Sequence, residues 1–244
     1  MRKNLSALTY TLKTIPHPCP EDVAGLPPEN VLVLAPHPDD EIIGCGGAMI
    51  KHLNRGSKIF VIYLTDGREG GQNIDRTILS NIRKEEAKAG LRVMGCSEHL
   101  FMDYPDGRLC EYMEECAQRL AQVIIDFEPD SIFVPNFLDA HRDHTATAQI
   151  LARALKKKGG RQTCYSYEVW TAIIPNTIMD ISDVMKTKLA ALREHKSQLS
   201  QLDFSQKVEG LNSYRSIYLG NQARYCEAFL RNTQKEYVRI SAFF

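Results

Sequence analysis

Apolar and polar positions along this chain alternate between two periods. Val31–Ala35 (VLVLA) is an unbroken apolar run, followed by helical spacing over Ile42–Asn54 that stops at Gly56. Lys58–Thr65 (KIFVIYLT) predicts a second strand, and a glycine-rich loop over Asp66–Gln72 leads to a helix over Thr77–Met94, closed by Gly95. His99–Met102 predicts a short strand, and Tyr104-Pro105-Asp106-Gly107 has the chemistry of a turn. A helix over Glu111–Phe127, a strand over Ser131–Pro135, a helix over Thr145–Lys158 and a strand over Cys164–Trp170 follow. Repeated strand–helix units with wholly apolar strands predict an α/β fold. It is a Rossmann-like, mainly parallel sheet with helices on both faces. Beyond Thr171 the order changes: a helix near Asp183–Gln201, another over Leu211–Arg231, then a strand-like stretch at Tyr237–Ile240. This C-terminal third is expected to wrap the sheet and wall the active site. Residues 1–30, with five prolines from Pro16 to Pro28, read as an N-terminal extension on the surface, and 31–244 as one domain.

Composition narrows the classes. The chain has 244 residues, 43% hydrophobic and 25% charged, with 30 basic and 30 acidic side chains balancing to zero. No global positive field draws it to nucleic acid or to an anionic membrane. The run Lys156-Lys157-Lys158, followed by Gly159-Gly160, reads as a helix end. Seven cysteines without C-x-x-C spacing, in a chain this long, read as reduced thiols of a cytoplasmic protein. The stretch after Met1-Arg2-Lys3 is polar, and no run of about 18 apolar residues occurs, so neither a signal peptide nor membrane insertion is expected.

The turn after the first strand carries the chemistry. Gly44, Gly46 and Gly47 hint at a dinucleotide fingerprint, but they fall inside the helix, and Asp39, Asp40 and Glu41 in the turn would repel a phosphate. The glycines are better read as a close contact between this helix and a neighbour, since each costs about 0.5–1 kcal/mol in a helix interior. The three acids have two readings. They cap the helix and complement its dipole, or, with His37, they hold a divalent cation at the C-terminal edge of a parallel sheet, where such folds bind ligands. A second cluster, His141, Asp143 and His144 in "NFLDAHRDHTATAQ", again joins a strand end to a helix start and favours the cation. Mixed nitrogen and oxygen ligands with one open position make a catalytic zinc site.

The motifs APHPDDE (Ala35–Glu41) and HRDH (His141–His144) resemble the two signatures of the LmbE-like, or PIG-L, family of zinc-dependent N-deacetylases. TDG..GG at Thr65–Gly71, Arg83 with Glu86, PDG.L at Pro105–Leu109, HKSQ at His195–Gln198 and EAF at Glu227–Phe229 extend the resemblance. Arg142 stands where the family often has proline. The resemblance implies His37, Asp40 and His144 as ligands of Zn2+, a set that also accepts Fe2+ or Co2+. It implies Asp39 as general base, His141 as oxyanion stabiliser or acid to the leaving amine, and Asp143 as the carboxylate that orients His141 and raises its pKa. The implied substrate is a small N-acetylglucosamine-type conjugate losing its acetyl group. Arg68, Arg76, Arg83 and Asp106 fall near the inferred sheet edge as candidates to grip sugar hydroxyls or an anionic aglycone. Each arginine has the alternative of a surface ion pair, Arg83 with Glu86 three residues on. His195 reads as an ordinary helix-face histidine. Two competing functions stand beside this one: a metal amidohydrolase acting on another N-acyl substrate, and a metal-binding domain without catalysis. The sequence leaves a homo-oligomer open.

Overall fold

The computed structural model describes residues 19–20, 27–71, 74–156 and 160–244. The short strand β1 (Cys19–Pro20) is followed by β2 (Asn30–Ala35), β3 (Lys58–Thr65), β4 (His99–Tyr104), β5 (Ser131–Pro135), β6 (Thr163–Tyr167), β7 (Thr177–Asp180) and β8 (Cys226–Thr233). Among the described residues they form one sheet in the order β1-β7-β8-β6-β5-β2-β3-β4. β8 runs antiparallel to β6 and β7; the other pairings are parallel. The sheet is mainly parallel, as the unbroken apolar runs predict.

Those runs are apolar throughout because both faces are covered. Val31, Val33 and Ala35 of β2 join one core with Ile59, Val61 and Tyr63 of β3, while Leu32 and Leu34 join the other with Ile62 and Leu64. The first core is roofed by α1 (Asp40–Asn54), α2 (Arg76–Met94) and later α5 (Met185–Leu192); the second by α3 (Met113–Phe127) and α4 (Arg142–Lys156). Each such aliphatic side chain, wholly buried, contributes about 1.5–3 kcal/mol. Asp75 caps α2 by accepting from the Thr77 and Ile78 amides, and Gly95 ends it at φ 83°. The expected contact of the α1 glycines is present. A Cβ on Gly44 would lie 2.1 Å from the Tyr167 ring of β6, and one on Gly47 would lie 2.5 Å from Ile181.

The C-terminal third departs from the sequence reading. The helix expected over Asp183–Gln201 is two pieces, α5 and α6 (Lys196–Leu199). The one expected over Leu211–Arg231 is α7 (Phe204–Arg215), which ends well before β8. β8 lies inside the sheet, and its short apolar stretch Ala228-Phe229-Leu230 does not distinguish a buried strand from a buried helix. The strand expected at Tyr237–Ile240 is the helix α8 (Gln234–Ile240), opened by a capping box between Thr233 and Glu236. The strand expected over Cys164–Trp170 stops at Tyr167. Of the N-terminal extension, β1 pairs with β7 at the sheet edge; most of residues 1–30, like Lys157–Gly159 in the basic run, lie outside the described residues.

Candidate metal centre and catalytic cleft

The parallel strands β2, β3, β4 and β5 all deliver their C-terminal ends to one edge. From β2 the chain proceeds outward through β3 and β4, and from β5 the opposite way to β6, so the gap between β2 and β5 is a topological switch point. His37–Asp40 leaves β2 on one side of it, and His141–His144 follows β5 on the other.

Local bonding fixes the first turn. Pro36 O accepts from both the amide and the hydroxyl of Thr65, at 2.9 and 2.8 Å. Asp40 Oδ2 accepts the His37 amide at 2.8 Å. Asp39 adopts φ 141°, a region costly to a residue with a Cβ. Its carbonyl accepts the first amides of α1, but its carboxylate caps nothing and instead lies 3.2 Å from Arg83 Nη2. The capping reading of this acid therefore fails. Glu41 is wholly buried, accepts from the Tyr63 hydroxyl at 2.6 Å, and has its carboxyl pushed up to about 8 by burial despite that bond.

Three atoms from the two turns form a near-equilateral triangle. His37 Nδ1 to Asp40 Oδ2 is 3.0 Å, Asp40 Oδ2 to His144 Nε2 is 3.2 Å, and His144 Nε2 to His37 Nδ1 is 3.3 Å. Ligands about 2.0–2.1 Å from a tetrahedral ion lie about 3.3 Å apart, so the donor set fits a zinc-like cation. The outer nitrogens each face a carboxylate, the kind of neighbour that orients metal-bound imidazoles. His37 Nε2 is 3.0 Å from Asp106 Oδ1 and 3.3 Å from Asp143 Oδ2, and His144 Nδ1 is 3.2 Å from Asp139 Oδ1. His37, Asp106 and Asp143 also cluster closely enough to be considered as ligands. Asp143, however, is already engaged by the Gly107 and Leu109 amides at 2.6 and 3.1 Å, which makes it a support for His37.

Two corners of the triangle, His37 and Asp40, line an open cleft whose walls also include Asp39, Arg83, Asp106, His141 and Trp170, with His144 wholly buried behind them. Burial lifts the Asp39 carboxyl to about 7, opposed by Arg83 and helped by Asp40. His141 is half-buried, and burial, then His37 and His144, hold its pKa down. Its Nδ1 accepts the Asp143 amide at 3.2 Å, so the neutral ring carries its proton on Nε2.

Several sequence expectations need correction. Asp143 does not orient His141 through its carboxylate, which faces His37; the link to His141 is the backbone amide, and although the Asp143 charge raises the pKa of His141 as expected, burial, then His37 and His144, outweigh it. Arg68 is held by Asp66 and Arg76 by Glu69 at 2.9 Å, and neither lines the cleft, because nearby acids outcompete it. Arg83 does not pair with Glu86. It turns inward, donating to Gly67 O and Pro38 O at 3.0 Å each, while Glu86 accepts from Ser197. His195 stays out of the cleft, as its ordinary reading expects, but it is no helix-face residue: it precedes α6 wholly buried, with its pKa pushed down to about 3, chiefly by burial. The sequence reading missed Asp139, although an acid five residues before His144 in the second motif was visible. Trp170 and Phe204 on the cleft wall have no counterpart in the sequence reading, and Gln198 figures there only in the HKSQ motif without a role; Gln198 and Phe204 lie in the misread C-terminal third, and Trp170 just before it.

Residues 32–155 match the PIG-L family, described as GlcNAc-PI de-N-acetylase. The diacetylchitobiose deacetylase of Thermococcus kodakarensis is 28% identical over 219 residues, covering 82% of this chain and 81% of that protein. A probable N-acetyl-alpha-D-glucosaminyl L-malate deacetylase 2 of Bacillus subtilis is 33% identical over 192 residues, covering 70% and 83%. The structure of the N,N'-diacetylchitobiose deacetylase from Pyrococcus horikoshii, complexed with its inhibitor, superposes with TM-score 0.76 at 25% identity and covers 85% of each chain. With both signature turns converging on one donor triangle and half its length matched, the chain belongs to the PIG-L family of de-N-acetylases.

Proposed function

We propose that this protein is a zinc-dependent hydrolase that removes the acetyl group from an N-acetylglucosamine-type sugar conjugate. The observation that carries the reading is the triangle of His37 Nδ1, Asp40 Oδ2 and His144 Nε2, with edges of 3.0–3.3 Å, whose His37 and Asp40 corners line an open cleft. A cation held there supplies Lewis acidity to the acyl carbonyl and acidifies a water. Asp39 takes the proton of the attacking water; its Arg83 contact and its fixed backbone hold the carboxylate toward the cleft. As the carbonyl oxygen gains charge, His141 offers Nε2–H to it, a donor role fixed by the Asp143 amide on Nδ1. The proton held on Asp39 then passes to the departing nitrogen, leaving acetate and a free amine. Asp106 and Asp143 keep His37 oriented, and Asp139 does so for His144.

The test is amine release from a panel of N-acetyl and longer N-acyl sugars, after chelation and reloading with Zn2+, Fe2+ or Co2+. Release from N-acetylglucosamine conjugates with zinc is the expected result. Release only from longer acyl groups would move the reading to another N-acyl substrate, and full metal occupancy without any amine would leave a binding domain.

A further inference from the structure

The mouth of the cleft carries a large apolar side chain that the deacetylation chemistry does not use. Trp170, the single tryptophan of the chain, is 54% exposed there and stands edge-on to Phe204, ring centroids 5.8 Å apart at 86°. Its backbone is not loose. The Trp170 amide donates to Asp139 Oδ2 at 3.1 Å, and the other oxygen of that carboxylate faces the metal-triangle histidine His144. On the far side, the buried pair Glu168–Arg215 clamps the same loop, with Glu168 accepting the Ile173 amide at 2.8 Å and Arg215 donating to Ile173 O at 2.8 Å. A tryptophan held this firmly yet left half in water forfeits burial that a smaller residue would not need. Rigid aromatic side chains at the rim of a polar pocket are recognition surfaces.

We propose that Trp170, braced by Phe204, is the platform on which a second ring of the substrate packs its apolar C–H face. The preferred substrate would then be an N-acetylglucosamine unit joined to another pyranose or similar ring, rather than the free monosaccharide or a conjugate of a small flexible acid. The cleft is divided to suit this. Its floor of His37, Asp39, Asp106 and His141 meets the acetamido sugar, and one side of its wall, Val169, Trp170 and Phe204, is apolar, while Glu69 and Gln198 supply polar groups elsewhere. The inference rests on the deacetylase reading for the first ring only.

Because the chain has one tryptophan, its emission reports the platform without any turnover. The full chain, stripped of metal by a chelator, is titrated with N-acetylglucosamine, with its β-1,4-linked dimer and with an N-acetylglucosaminyl conjugate of malate. The dimer is expected to give a saturable shift and quench, much larger than either other ligand. In the metal-loaded enzyme, Trp170→Ala is expected to lower the ratio of kcat/KM for dimer over monosaccharide about tenfold, mostly through KM, the size of one aromatic contact. Trp170→Phe is expected to restore most of it. An emission unchanged by saturating dimer, or a Trp170→Ala loss equal for all substrates, overturns the platform. If the emission responds to the dimer but no amine is ever released, the platform stands and the deacetylase reading fails.

Discussion

Neighbouring residues in the first turn are given different tasks by their surroundings. Asp40 points at two histidines, Asp39 at Arg83, and Glu41 at a buried tyrosine hydroxyl. Removing one should therefore produce a distinct phenotype. Asp39→Ala is expected to retain one equivalent of metal by elemental analysis while amine release falls about 10²- to 10⁴-fold, the usual contribution of a positioned base. His144→Ala is expected to lose the metal itself. Full activity in Asp39→Ala would remove it from the reaction. Away from the cleft, His52 near the end of α1 is buried with its ring edge-on to Phe133, and burial, then Arg55, holds its pKa down to about 4. Above the ordinary histidine value of about 6.5 both states are neutral there. As pH falls below it, the unfolded chain takes up a proton that the folded one refuses, so stability declines. Between about pH 7 and pH 5 the wild type should lose ~2 kcal/mol more than His52→Gln in urea unfolding, and parallel losses would show that His52 is not the sensor.

At the scale of elements, the short turn that opens α1 is set apart from the rest of the helix by a break at Cys45, whose φ of −144° and ψ of 18° are not helical. The break separates Ile43 O from Gly47 N. A wholly buried ion pair takes both: Lys188 donates to Ile43 O at 3.0 Å and Glu227 accepts the Gly47 and Ala48 amides at 2.7 and 2.8 Å, with Lys188–Glu227 itself at 2.7 Å. Asn212 supplies Lys188 with another acceptor at 2.9 Å. The helix segment bearing Asp40 is thus aimed by residues of α5 and β8. Lys188→Met alone strands the Glu227 charge and is expected to cost about 3–5 kcal/mol, while adding Glu227→Gln is expected to recover a large part of it. Additive losses in urea unfolding would mean the two act independently. Little of this was legible beforehand. The glycines around Cys45 and the EAF motif both stand out in the sequence, but nothing in either names Lys188, because the pairing spans β8, whose sequence resembles a helix. By contrast, the capping box that starts α8 is written in Thr233-Gln-Lys-Glu236 and outweighs the β-prone Tyr-Val that follows.

For the molecule as a whole, the mainly parallel sheet is legible in the sequence because its parallel half consists of long apolar runs separated by strong helix signals, whereas the switch point between β2 and β5 emerges only from the strand order. The two chemical turns could be paired without coordinates. The walls of the cleft are not legible, since Trp170 reaches it from an irregular loop and Gln198 and Phe204 from the short helix α6 and the start of α7, whose placement depends on tertiary contacts such as Glu168–Arg215. The placement also makes a prediction about the whole fold. His37 lies between β2 and α1, Asp40 opens α1, and His144 lies in the first turn of α4 on the other side of the gap. A cation bound by all three ties the two sides of the sheet edge together and binds only the folded chain. Free metal at a hundredfold over its dissociation constant would add about 2.7 kcal/mol. For a domain of this size that corresponds to a Tm increase of roughly 5–10 °C. Chelation should lower the melting midpoint by that amount and zinc should restore it, whereas His144→Ala should melt at the same temperature with or without chelator. A wild-type midpoint that stays fixed after elemental analysis shows the metal gone would mean that the ion does not bridge the two turns. The donor triangle would then be a hydrogen-bonded cluster of histidines and acids.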